Sequence, residues 1–137
     1  MSPEEDIRRL LALCAQRIDD RDVEGYVELF APDGRLVTRS NEFTGHEAIR
    51  GCMADGWTNS PEGSKTKHLL GGTIIRVDDG FAHASTDVVA FQCLAEGGWH
   101  VLLAGRYEDD FVIHHGDWRF KDRRIAVDAF LHAHFEG

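Results

Sequence analysis

Asp19 and His68 are the two residues whose types and settings could together do chemistry. Asp19 stands in Arg17-Ile18-Asp19-Asp20-Arg21-Asp22, where one amphipathic segment ends and another begins. His68 stands in Thr66-Lys67-His68-Leu69-Leu70-Gly71-Gly72-Thr73, at the start of a strand-like run. A carboxylate that holds an imidazole fixes its tautomer and stabilises its protonated form, which makes a general base. Positioned bases of this kind contribute on the order of 10² to 10⁴ in rate. The plainer readings are a loop aspartate that helps cap the next helix and a strand histidine satisfied by its neighbours. Two features weigh against them. A helix end is already negative, so a carboxylate there needs a compensating donor or cation, and Asp22 is better placed to be the cap.

The elements that must position this pair are legible in the periodicity. Apolar residues at Ile7, Leu10, Leu11, Cys14 and Ile18 follow a helical repeat, and Pro3 with Glu4, Glu5 and Asp6 suits a helix start. A second helix is expected from about Val23 to Phe30. Pro32-Asp33-Gly34 reads as a turn and Arg35 to Arg39 as a short strand. Thr44-Gly45-His46-Glu47 opens a third helix to about Gly56, and Asn59 to Ser64 is a loop. The period then changes to two. Lys67–Val77, Ala82–Leu94, Trp99–Ile113 and Trp118–Val127 read as long strands joined by Asp78-Asp79-Gly80, Glu96-Gly97-Gly98 and His115-Gly116-Asp117 turns. Helices followed by successive antiparallel strands describe an α+β domain, and one domain over 1–137 is expected.

Composition excludes several classes. The chain has 137 residues, 42% hydrophobic and 28% charged, ordinary values for a globular protein. A net charge of −9 argues against nucleic acid or an anionic membrane as partner. No apolar run approaches the ~20 residues of a membrane span, and the acidic N-terminus does not read as a secretory signal, so a cytoplasmic location is expected. Cys14, Cys52 and Cys93 lack CxxC spacing and read as reduced thiols. His83 and His100 have no matching ligand set, His114 and His115 lie at a turn, and His132 and His134 lack further ligands, so no metal is expected. No phosphate loop, nucleophile elbow or dinucleotide fingerprint is present, and no cofactor is expected.

A second tier of residues is placed around a cavity. Asp87 shares strand parity with Val89, Phe91 and Cys93, and is a pocket carboxylate if that face turns inward or a solvated charge if it does not. Arg106 and Tyr107 point to opposite faces, so only one can reach the pocket. Met53, Trp57 and Phe91, with Leu29, Phe30, Leu70, Val89 and Leu102, are expected in the core and the cavity wall. The expected substrate-binding set is Asp87, Phe91, Arg106, Met53 and Trp57. Such a wall suits a small, hydrophobic, cyclic molecule.

Four stretches carry a family likeness: Ile18 to Asp22 continuing through Tyr26-Val27-Glu28-Leu29-Phe30-Ala31-Pro32-Asp33-Gly34, then Lys67 to Thr73, Gly105-Arg106-Tyr107-Glu108-Asp109, and Gly116-Asp117-Trp118-Arg119-Phe120. Together they resemble the SnoaL-like branch of the NTF2-like superfamily. The resemblance implies a cone-shaped α+β barrel, with a curved, mostly antiparallel sheet and N-terminal helices on its concave face. Within the branch the chain resembles scytalone dehydratase, bile-acid dehydratase and hexachlorocyclohexane dehydrochlorinase, lyases whose catalytic aspartate and histidine fall on Asp19 and His68. The first-helix tyrosine of the dehydratases has no counterpart at Cys14 or Ile18, and a second polar catalytic residue of theirs falls on Phe91. That leaves a base without its usual acid. The implied function is a cofactor-independent lyase or isomerase with a His-Asp general base. A non-catalytic ligand-binding or accessory domain and a polyketide cyclase are the alternatives. The resemblance also implies a homodimer or homotrimer formed through the outer face of the sheet.

Overall fold

Helix α1 (Pro3–Asp19) starts where the local signals put it. The Ser2 hydroxyl accepts the Glu5 N–H at 3.2 Å, and Glu4, Glu5 and Asp6 set negative charge on the first turn. Ile7, Leu10, Leu11 and Cys14 form its buried stripe. The helix ends in a Schellman arrangement: the Arg21 N–H bonds Ile18 O at 3.1 Å and the Asp22 N–H bonds Arg17 O at 2.9 Å. Arg21, at φ 55°, sits where glycine usually does, at a cost on the order of 1 kcal/mol. Its guanidinium donates to Ser64 O at 3.1 Å, which ties the helix end to the approach of a later strand. The structure, a computed structural model, describes residues 2–130; His132 and His134 lie outside the described residues.

Helix α2 (Val23–Val27) is capped by Asp22, whose carboxylate accepts the Gly25 N–H at 2.9 Å. It stops short of Phe30 because Leu29 O accepts the Phe120 N–H at 2.9 Å, drawing the chain into the sheet. Strand β1 (Phe30–Val37) absorbs Pro32-Asp33-Gly34 where its register with the last strand shifts, so the expected turn is an irregularity within a strand. Strand β2 (Glu42–Thr44) follows, too short to show a period. Helix α3 (His46–Thr58) precedes β3 (Lys65–Asp78), β4 (Phe81–Cys93), β5 (Trp99–His114) and β6 (Asp117–Phe130). His115 and Gly116, at φ 50° and 85°, make the last hairpin turn.

The six strands form one curved sheet in the order β2-β1-β6-β5-β4-β3. Every pairing is antiparallel except β1 with β6, which is parallel. Among the described residues the sheet does not close, so the expected cone-shaped barrel is an open, curved sheet with β2 and β3 at its edges. Register shifts at Gly71/Ile74, Ala90/Phe91, Ala104/Gly105 and Asp110/Phe111 bend the strands. At Gly105 a Cβ would meet the Ala126 carbonyl oxygen at 2.4 Å, so only glycine lets β5 and β6 approach there.

Burial alternates cleanly along β4: Ala82, Ala84, Thr86, Val88, Ala90 and Gln92 are buried, and the residues between them are not. Ala82 and Ala84 of this inner face pack with the apolar stripe of α1 and with Tyr26, Val27, Leu36 and Ile49 into one core. Phe30, Phe111 and Phe120 run through it, with ring centroids 4.8 Å (Phe111–Phe120) and 5.2 Å (Phe30–Phe120) apart. Truncating any of the three costs about 3–5 kcal/mol. Among the described residues no helix is long and apolar enough to cross a membrane.

Candidate active site

Three elements bring Asp19 and His68 together. The Schellman turn fixes the last turn of α1, β3 runs alongside that helix, and the Arg21–Ser64 bond sets where β3 begins. His68 Nδ1 lies 2.6 Å from Asp19 Oδ1, and the His68 backbone N–H donates to Asp19 Oδ2 at 2.9 Å. The Thr66 hydroxyl adds a third bond, to Oδ1, at 3.1 Å. The side chains of His68 and Asp19 are 12% and 13% exposed, so little solvent screens them. Burial disfavours the charged carboxylate, yet the bonds from the His68 ring, the His68 amide and Thr66 outweigh it and hold Asp19 below the usual carboxylate range. These donors compensate a carboxylate at the negative end of a helix. With Nδ1 on Asp19, Nε2 is the nitrogen left to face a substrate.

A cleft of about 250 Å³ opens beside the pair, bounded by Ala12, Ala15 and Gln16 of α1 and by Lys67 to Leu70. A larger cavity, about 530 Å³, is lined by Leu103, Ile125 and Val127 and by Thr38, Arg39 and Ser40. Leu103 lies in one cross-strand row with Ala90 and His68, so this wall and the imidazole share the inner face. A third cleft, about 390 Å³, lies at the start of α1 and is edged by Asp6, Arg9, Arg17, Glu28 and Arg119. It touches neither member of the pair.

The strand parity corrects three expected substrate contacts. Asp87, Phe91 and Arg106 sit on the outer face, because their neighbours in sequence, Thr86, Val88, Ala90 and Tyr107, turn inward. Asp87 and Arg106 form an exposed ion pair at 2.7 Å there. Val89, expected in the core, is also on this outer side. Met53 packs against the core from α3 and Trp57 is half-buried on the same helix, but neither belongs to the wall of the cleft or of the larger cavity. The polar residue that faces inward near Phe91 is Gln92, in register with Thr66. Thr66 itself was open to discovery: it lies two residues before His68, on the same strand face.

The interior also holds a polar cluster that no local pattern announces. Arg123 is 1% exposed; its Nε and Nη2 donate to the two oxygens of Asp109 at 2.8 and 3.2 Å, and its Nη1 donates to Cys14 Sγ at 2.8 Å. Its guanidinium carbon lies 3.6 Å from the Tyr107 ring centroid and 4.7 Å from that of Phe120. Burial pushes the Cys14 thiol up to about 11, so it stays protonated. On the outer face, His83 contacts Asp110 at 2.8 Å and Glu108 at 2.9 Å, one carboxylate at each ring nitrogen. Among the described residues no three His, Cys, Asp or Glu side chains converge as metal ligands.

The family model of the SnoaL-like domain matches residues 1–124. No curated protein matches the chain. Among solved structures it is similar to a protein of unknown function from Mycobacterium tuberculosis, with TM-score 0.81 and 24% identity over 96% of this chain and 79% of that one. It is similar to a protein assigned as a scytalone dehydratase from Novosphingobium aromaticivorans, with TM-score 0.80 and 22% identity over 92% and 84%. ActVI-ORFA from Streptomyces coelicolor gives TM-score 0.82 and 17% identity over 91% and 96%. At these identities the likeness to the solved structures is one of fold.

Proposed function

This chain belongs to the SnoaL-like domain family, and we propose that it is a cofactor-independent lyase or isomerase acting on small, hydrophobic, cyclic substrates. His68 Nε2 removes a proton next to a carbonyl or beside a leaving group. Asp19 holds the proton on Nδ1 and stabilises the imidazolium that forms. The observation that carries this reading is the 2.6 Å contact of Nδ1 with Asp19, seven-eighths shielded from solvent. The apolar cavity on the same face falls in the range of about 300–1,000 Å³ of small-molecule sites.

The test is proton exchange. A panel of cyclic ketones in deuterated water is followed by NMR, and the wild type should exchange the hydrogen next to the carbonyl faster than His68→Ala. If no ketone exchanges in a His68-dependent way, proton abstraction is not the function. One observation favours a second reading, a non-catalytic binder: Asp19 also clamps the His68 amide and Thr66, as a purely structural carboxylate would. Tight binding of a ketone without exchange is its signature. Cyclisation of a longer polyketide is a further variant, which a larger substrate in the same assay distinguishes. A homodimer or homotrimer belongs to the same proposal: Leu69 and Trp99 leave an outer sheet face 52% and 56% exposed at those positions, and light scattering reads the assembly.

A further inference from the structure

The pair supplies a base, and elimination of a poor leaving group also needs an acid. Tyr107 is the inward-facing tyrosine of β5, 5% exposed, and its hydroxyl takes no part in the bonds that tie Arg123 to Asp109 and Cys14. Contacts lead from it towards the helix that carries Asp19 and towards the larger cavity. The Arg123 guanidinium covers the Tyr107 ring at 3.6 Å and reaches Cys14 Sγ at 2.8 Å. Cys14 shares α1 with Asp19, about 7.5 Å of helix rise away. Ile125, directly opposite Tyr107 in β6, is a wall residue of the 530 Å³ cavity. Tyr107 therefore shares the inner face with a wall of that cavity, one strand away from Ile125. Directly opposite on β4, Thr86 is fully buried and its hydroxyl has no hydrogen-bond partner. An orphaned buried hydroxyl costs about 1–3 kcal/mol.

We propose that Tyr107 is the proton donor of the site, acting on the substrate oxygen while His68 acts on carbon. This rests on the lyase reading above. In an elimination His68 takes the proton of the C–H bond, whose electron pair becomes the C=C bond. The C–O bond breaks with its pair on oxygen, which takes the phenolic proton and leaves as water. The tyrosinate left behind recovers, through solvent, the proton that His68 acquired. Arg123, over the ring, stabilises the tyrosinate by cation–π and charge attraction. Burial raises the Tyr107 phenol to about 12 against the pull of Arg123, so the donor is protonated at neutral pH. In an isomerisation the same hydroxyl donates to the enolate oxygen.

The test compares two probes, 3-hydroxycyclohexanone and 3-(4-nitrophenoxy)cyclohexanone; the second has a leaving group that needs no acid. Tyr107→Phe keeps the ring and its stack on Arg123, and its thermal midpoint monitors the fold. It should lower turnover of the hydroxy probe by about a hundredfold more than that of the nitrophenoxy probe, whereas His68→Ala lowers both alike. Equal losses on the two probes, or no loss on the hydroxy probe, overturn the proposal. A second measurement does not need turnover: the carbonyl stretch of bound 2-cyclohexenone by infrared difference spectroscopy. It should shift down in the wild type and return towards its free value in Tyr107→Phe. An unshifted carbonyl, or no binding by the wild type, overturns the assignment of Tyr107. A Tyr107-dependent shift with no turnover of either probe sinks the lyase reading and leaves Tyr107 as donor to a bound ligand's oxygen.

Discussion

Replacing Asp19 by asparagine probes the pair with almost no change of shape. The carboxylate uses both oxygens as acceptors: Oδ1 for His68 Nδ1 and Thr66, Oδ2 for the His68 backbone N–H. Asparagine has one acceptor and one donor, so it cannot serve both ends. If its oxygen keeps Nδ1, its NH₂ confronts the His68 amide donor, and a charge-assisted bond worth about 1.5–3 kcal/mol is lost. At about 1.4 kcal/mol per factor of ten, that is roughly 10- to 150-fold in rate. If the amide flips, Nδ1 becomes an acceptor and the ring proton moves to Nε2, the nitrogen proposed to take the substrate proton. The penalty then approaches the roughly 10⁴ seen when a triad aspartate is so replaced. We expect a loss of about 10 to 10⁴ in turnover of the nitrophenoxy probe, read from released nitrophenolate. Nitrogen NMR of the imidazole should place its proton on Nδ1 in the wild type and show whether it moves in the variant. Turnover within about threefold of wild type, with the tautomer unchanged, would refute the orienting role of Asp19.

Three further outcomes test the frame around the site. Asp109→Ala leaves the Arg123 charge buried and unpaired, and should lower stability in a urea titration by about 3–5 kcal/mol; a loss below about 1 kcal/mol would show that the pair does not anchor the core. The His83 imidazole is raised above its ordinary 6.5 by its bonds to Asp110 and Glu108, so its contribution is full below that value and fades as pH rises through the raised one. His83→Gln should therefore cost stability mainly at acidic pH, by less than about 1 kcal/mol because the groups are partly solvated, and a cost independent of pH would contradict the ion-pair account. Cys14, fully buried with its thiol held near 11, should resist iodoacetamide at pH 8 in the native protein while Cys93 reacts; peptide mass mapping that finds Cys14 labelled as fast as Cys93 would rule out its place in the core.

Much of this was open to a reader of the sequence. The stripe Ile7-Leu10-Leu11-Cys14 and the acidic first turn specify α1, because a helix repeats every 3.6 residues and favours negative charge at its start. The long alternating runs and the glycine-bearing turns specify β3 to β6. The setting of Asp19 at a helix end, needing a donor, and of His68 in a strand, needing an orienting group, pointed each residue at the other. Strand β2 was too short to show a period, and β1 hid behind Pro32-Asp33-Gly34, a turn signal that the parallel pairing with β6 holds inside a strand.

Sidedness was another matter. Alternation states that Asp87, Val89 and Phe91 share a face, but which face turns inward is decided by what packs against the sheet. Packing buries Thr86, Val88 and Ala90, so Asp87 and Arg106 pair in solvent and Tyr107 faces the interior. The same holds for Arg123: inside a run of charged residues it reads as surface. It is buried only because the β5–β6 register sets it opposite Asp109 and α1 brings Cys14 to its third nitrogen. Local physics determined the elements and the two halves of the Asp19–His68 pair. Only tertiary packing, which chooses the buried face and joins residues far apart in the chain, decided what lies around them.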